Sequence, residues 1–227
     1  EIQADFDLDT GSWGRIYMFG TLASALVINW SGSLIDRVDL RLFTGLVLFG
    51  LASACLVMGS ASTPMLLIVA IFMLRQFGQG LTSHAGITSM ARYFDNNRGK
   101  AIALAAIGFS FGEAILPVAG LYLSQFWGWR DTFYIVAIAV LLALLPVFWL
   151  LKGHALRHAA HTDALDRRAS EGVGGGDYTR RQMLSEVRFY YLLPAMIATP
   201  MIGTALFFFP DEIARAKGWS SGGQVRG

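Results

Sequence analysis

Six stretches of this sequence, at about 16–35, 42–60, 64–91, 101–126, 132–151 and 189–209, are mostly apolar and nearly free of charge. A helix rises about 1.5 Å per residue, so roughly 20 apolar residues cross about 30 Å of hydrocarbon. Inside lipid each backbone N–H and C=O must be satisfied by the chain itself, which leaves helices or a closed barrel. No alternating strand pattern stands out, so the runs predict an all-α, multi-pass transmembrane helical bundle. The bland alternative is a buried soluble core, and six consecutive runs of this length argue against it. Composition agrees: 54% of residues are hydrophobic and 15% charged, against about 25% charged in soluble domains.

The basic residues orient these spans. Arg37 and Arg41 follow the first run, and Arg92, Arg98 and Lys100 follow the third. The fifth is followed by Lys152, Arg157, Arg167, Arg168, Arg180, Arg181 and Arg188. The intervening loops hold only Arg130, so the alternation puts the first, third and fifth loops in the cytoplasm. The start, "EIQADFDLDTGSWG", then lies outside. It has no Met, no basic n-region and no cleavage site, so it is not a signal peptide. A further helix upstream is the expectation.

The chain divides on this reading into three parts. Residues 1–152 form an N-terminal transmembrane bundle of five spans. Residues 153–188, with "EGVGGGD" and many charges, form a cytoplasmic linker. Residues 189–227 hold one more span and an outside segment. The net charge of +2 leaves no electrostatic footprint for nucleic acid. Cys55 lies in an apolar run and reads as a buried inert thiol.

On that topology the residues resemble the major facilitator superfamily, in particular bacterial members related to monocarboxylate transporters. The family's loop after its second helix reads Gly-x-Leu-x-Asp-Arg-x-Gly-Arg-Arg/Lys, and "GSLIDRVDLR" matches at Gly32, Leu34, Asp36, Arg37 and Arg41. Asp39 departs from it, standing where the family has Gly. "RQFGQG" from Arg75 resembles the fourth helix, "RGKA" from Arg98 the next cytoplasmic loop, and "GWR" at Gly128 to Arg130 the loop after the fifth helix. The resemblance implies that the six spans are family helices two to seven. Most of the N-terminal half and the first helix of the other would then be present, with the remainder of the transporter missing. It also implies a gating motif of Gly32, Asp36, Arg37, Arg41 and Arg98, and a place in the cell membrane, the bacterial inner membrane.

The polar residues inside the spans carry the functional reading. Arg75 and Glu113 both lie near mid-depth of their spans, where a charge costs at least ~2.5–3.5 kcal/mol and faces a partner or a watery cavity. One reading is a permanent Arg75–Glu113 pair that fixes packing. The other makes Arg75 an anion anchor, because its guanidinium fork matches a carboxylate, and Glu113 the proton-coupling group. Gln76, Gly80 and His84 recur every four residues, beside a second stripe of Arg75, Gln79 and Ser83. Together they predict a polar, cavity-facing helix surface, with Arg75, Gln76, Gln79 and His84 binding substrate. Gly20, Gly45, Gly50, Gly108, Gly112 and Gly120 predict close helix packing.

The expected function is secondary active transport of a small organic anion, such as a monocarboxylate, with protons and by alternating access. The partners are then the lipid bilayer, the solute and protons. Efflux of amphipathic compounds is the alternative within the class. "VGGG" lacks a following Gly-Lys-Ser/Thr and no nucleophile–base–acid set is spaced for catalysis, so neither cofactor nor enzymatic activity is expected. A membrane enzyme holding a metal on His154, His158 and His161 is the reading from a different class, and a non-transporting truncated homologue is another.

Overall fold

The computed structural model describes residues 1–36, 38–93, 98–153, 163, 180–208 and 217. The described elements are α1 (Ile2–Asp5), α2 (Thr10–Ser31), a 3₁₀ turn (Gly32–Asp36), α3 (Leu40–Gly59), α4 (Pro64–Met73), a π-helical segment (Leu74–Leu81) and α5 (Thr82–Tyr93). They continue with α6 (Arg98–Leu150), α7 (Arg180–Ser185) and α8 (Val187–Phe208). No strand occurs among the described residues. The chain divides into two units, Glu1–Arg167 and Arg168–Gly227.

Local chemistry starts these helices. The Asp9 carboxylate caps α2, accepting from the backbone N–H of Gly11 at 3.0 Å and of Ser12 at 3.2 Å. Thr63 caps α4, accepting from Leu66 N–H at 3.3 Å. Pro64 follows at the first position, where its missing N–H costs nothing. Among the described residues three helical stretches are long and apolar enough to cross a membrane: Leu40–Gly59, Pro64–Met90 and Gly99–Leu150. α2 is long enough but less apolar. Gly99–Leu150 has 52 residues, about 80 Å of helix at 1.5 Å each, more than twice the hydrocarbon thickness. It breaks at Gly128 (φ 78°, ψ 166°), a left-handed conformation that glycine adopts without strain.

α2, α3, the helix 64–93 and the second half of α6 pack together. One buried cluster joins Ile16, Met58, Leu67, Ala70 and Ile71; the other joins Ile35, Leu40, Phe43, Val47, Leu81 and Ala85. Lipid tails are as apolar as leucine, so such packing depends on van der Waals fit and close approach. Three of the glycines named above supply it. A Cβ on Gly20, Gly45 or Gly50 would stand 2.8, 2.6 or 2.5 Å from Ile71, Phe148 or Phe77 respectively. The other three do not: Gly108 and Gly120 have nothing within 4 Å, and Gly112 meets only Leu116 of its own helix. No residue from 99 to 128 is buried, so this first half of α6 lies uncovered.

The second unit is described by α7 and α8. Tyr190 donates its hydroxyl to Leu184 O at 2.9 Å across their junction, and Arg188 lies 3.7 Å from Glu186.

Candidate functional site

The helix that carries Arg75 is not α-helical throughout. From Leu74 to Leu81 it is a π-helix, the wider i→i+5 turn that in membrane and soluble helices alike often marks a functional position. At its end both the N–H and, at 2.7 Å, the hydroxyl of Thr82 donate to Phe77 O, five residues back. Gly78 and Gly80 lie inside the segment. Gly80 admits Ile28 so closely that a Cβ there would stand 2.5 Å from Ile28 Cδ1.

α2 and this helix touch along four rungs. Gly20 meets Ile71, and Ser24 donates to Gln76 Oε1 at 3.0 Å. Ile28 meets Gly80, and Gly32 O receives His84 Nε2 at 3.1 Å. On α2 the rungs are four residues apart throughout. On the partner the first step, from Ile71 to Gln76, is five, and the next two are four. The π segment supplies that extra residue, and both rows of contacts stay face to face across it.

These rungs bear on the expected cavity-facing surface. The stripe Gln76–Gly80–His84 faces α2. Gln76 is 3% exposed, and its Nε2 also donates to Ser31 Oγ at 2.6 Å. His84 is held on both ring nitrogens, with Thr88 Oγ1 3.5 Å from Nδ1. Since a carbonyl oxygen only accepts, Nε2 carries the proton toward Gly32. The neighbouring stripe is the open one: Arg75 and Ser83 are half-buried and Gln79 is exposed. Arg75 donates to Gln79 Oε1, and its guanidinium lies 4.7 Å from the Tyr17 ring centroid.

Arg75 and Glu113 are not paired. No ion pair among the described residues joins them, and Glu113 is exposed on the uncovered half of α6. Equal depth in two spans did not make them neighbours, because that half of α6 does not pack beside the π segment. Of the gating motif, Gly32 is buried against His84, and the Arg41 guanidinium lies 5.0 Å over the Phe148 ring. Asp36 and Arg98 are described by backbone alone. Arg37 and His154, His158 and His161 lie outside the described residues. A groove of about 350 Å³ between α3, α5 and the end of α6 is lined by Leu40, Val47, Leu48, Ala85 and Val147 among others, and includes none of Arg75, Gln79 or Glu113.

At the other end of the bundle, Arg130 of "GWR" ties three elements together. Its NH1 donates to Gly59 O at 3.2 Å and Ala61 O at 2.6 Å, and its Nε lies 3.7 Å from Asp5. Trp129 Nε1 donates to the same carboxylate at 2.9 Å. Sequence reasoning missed Tyr17, Ser24 and Ser31 as partners of the polar helix. The signal was present in Gly20, Ser24 and Gly32, small residues recurring on one face of α2.

Comparison with known proteins agrees with this architecture. A family model for the Major Facilitator Superfamily matches residues 1–225. An efflux pump, radE, of Floropilus chiversii is 31% identical over 144 residues, 61% of this chain and 26% of that protein. The vesicular acetylcholine transporter of Drosophila melanogaster is 28% identical over 143 residues, 61% of this chain and 24% of that protein. The matched region thus spans about a quarter of the length of both relatives. No solved structure matches the chain significantly. The chain is an all-α membrane protein that belongs to the Major Facilitator Superfamily, a family of transporters.

Proposed function

We propose that this chain takes part in secondary active transport of a small organic anion, a monocarboxylate in the first instance, and that Arg75 and Gln79 bind it. One observation carries this reading. Arg75 lies in the middle of a span, and the partners the structure gives it, Gln79 and the Tyr17 ring, are both uncharged. A cation at that depth calls for an opposite charge, and an anionic solute supplies it through the two-pronged guanidinium. Gln76 and His84 leave the solute-binding set in this reading, since their polar atoms are used between helices.

Proton coupling is assigned to Glu113, the acidic residue in the apolar stretch 101–126. Residues 1–152 then form most of one half of a two-half transporter. Residues 153–188 act as its linker, and 189–227 begin the second half, in a bacterial inner membrane. The halves rock about the solute site to give alternating access. Export of an amphipathic compound is the second reading, supported by the efflux pump among the relatives.

The test is uptake of labelled lactate by vesicles holding the intact protein, with and without an inward proton gradient. Arg75→Lys keeps the charge but loses the fork, so uptake falls by about tenfold or more, as loss of one charge-assisted bond implies. Glu113→Gln removes the response to the gradient. Full uptake by Arg75→Lys refutes the anion anchor. Arg75-independent extrusion of a lipophilic dye favours export instead.

A further inference from the structure

The five-residue step from Ile71 to Gln76 has consequences for the loop at the far end of α2. Beyond it, three rungs hold the last two turns of α2: Ser24 with Gln76, Ile28 with Gly80, and Gly32 with His84. The last rung reaches the 3₁₀ turn Gly32–Asp36 through the carbonyl of its first residue, and Ile35 of that turn is buried in one cluster with Leu81 and Ala85 of the same helix. Were the π segment to become α-helical with Ile71 in place, everything after it would be displaced by one residue of helical phase, about 100°. Gln76, Gly80 and His84 would then come off their partners together.

We propose that the π segment is a register switch between α2 and the helix 64–93, and that His84 is the positioning residue that transmits its state to the turn Gly32–Asp36. In the π state His84 Nε2–H holds Gly32 O and the turn is fixed. In the α state that bond is broken and the turn is released. Arg75 and Gln79 lie within the switching segment, so a ligand that bridges them biases it through their spacing. The proposal rests on the transport reading only for the identity of that ligand.

The experiment reads the turn directly, with no solute present. Leu34 is 43% exposed within the turn, and Cys55 is buried. In a Cys55→Ala background, the intact protein carrying Leu34→Cys is reconstituted in phosphatidylcholine vesicles and its alkylation rate by N-ethylmaleimide is measured. His84→Ala raises that rate by about two- to tenfold, the factor given by losing one hydrogen bond. His84→Gln, whose amide also donates to Gly32 O, restores the slow rate. A Ser62→Cys reporter at the opposite end is unaffected by either. Unchanged alkylation in His84→Ala overturns the proposal, as does equal acceleration by His84→Gln or a parallel rise at Ser62→Cys. Failure of lactate uptake alone refutes the transport reading and leaves this result standing.

Discussion

Gly20 and Ile71 lie so close that a Cβ on the glycine would meet Ile71 Cγ2 at 2.8 Å and the backbone oxygen of Ile68 at 3.0 Å. Backbone does not step aside as a side-chain tip does. Gly20→Ala therefore lowers stability by about 1–3 kcal/mol, the usual cost of overpacking. Gly108, with nothing within 4 Å, is the contrast. Gly108→Ala is neutral or stabilises by up to about 1 kcal/mol through helix propensity. Thermal unfolding of both variants in one detergent checks the pair.

Deleting Met73 shortens the step from Ile71 to Gln76 to four residues, the step an α-helix makes on one face. The rungs at Gln76, Gly80 and His84 then keep their places, and the segment becomes α-helical without slipping. Leu34→Cys alkylation stays at the parent rate in this deletion. Deleting Ser83 instead breaks the last rung and raises it. If the two deletions behave alike, the extra residue does not reside in the first step.

Arg130 makes two hydrogen bonds to carbonyls at the end of α3 and one longer ion pair. Arg130→Ala costs about 1–3 kcal/mol, because those bonds come from a charged donor. Asp5→Asn costs less than about 1 kcal/mol, since the ion pair is partly exposed and screened. Unfolding midpoints of the two variants, measured side by side, separate the contributions. A larger loss for Asp5→Asn contradicts this ranking.

The Asp9 carboxylate is held below its ordinary value of 3.8, first by the Ser12 hydroxyl and then by the Ser12 backbone N–H. A carboxyl group whose pKa is lower folded than unfolded stabilises the folded end above pH 3.8 and loses that contribution as pH falls through the folded value. The amides of Gly11 and Ser12 are thus protected at neutral pH and lose protection once the carboxylate is protonated. Protection factors along α2, taken relative to the intrinsic exchange rate at each pH from 5 down to 2.5, fall at those two amides, and Asp9→Ala removes that fall.

Much of this protein is set by neighbours along the chain, and that much is legible from its residues. Length and apolarity make Leu40–Gly59, Pro64–Met90 and the two halves of α6 helical, because lipid leaves no other partner for the backbone. Asp9, and Thr63 with Pro64, start their helices within one turn of themselves. The "GWR" stretch marks a break for an equally local reason, the positive φ of Gly128. The polar stripe of Gln76, Gly80 and His84 was visible as a stripe, but periodicity cannot say whether such a face meets a cavity or another helix. That was decided by Ser24, Ser31 and Gly32, some fifty positions away, which satisfy its donors and acceptors. Counting at 3.6 residues per turn could not register the extra residue of the π segment, whose phase is fixed by fitting Ile71 and Gln76 to the same face of α2. Counting likewise put Arg75 and Glu113 at equal depth, yet a pair needs shared azimuth as well as depth, and only helix packing determines which faces meet.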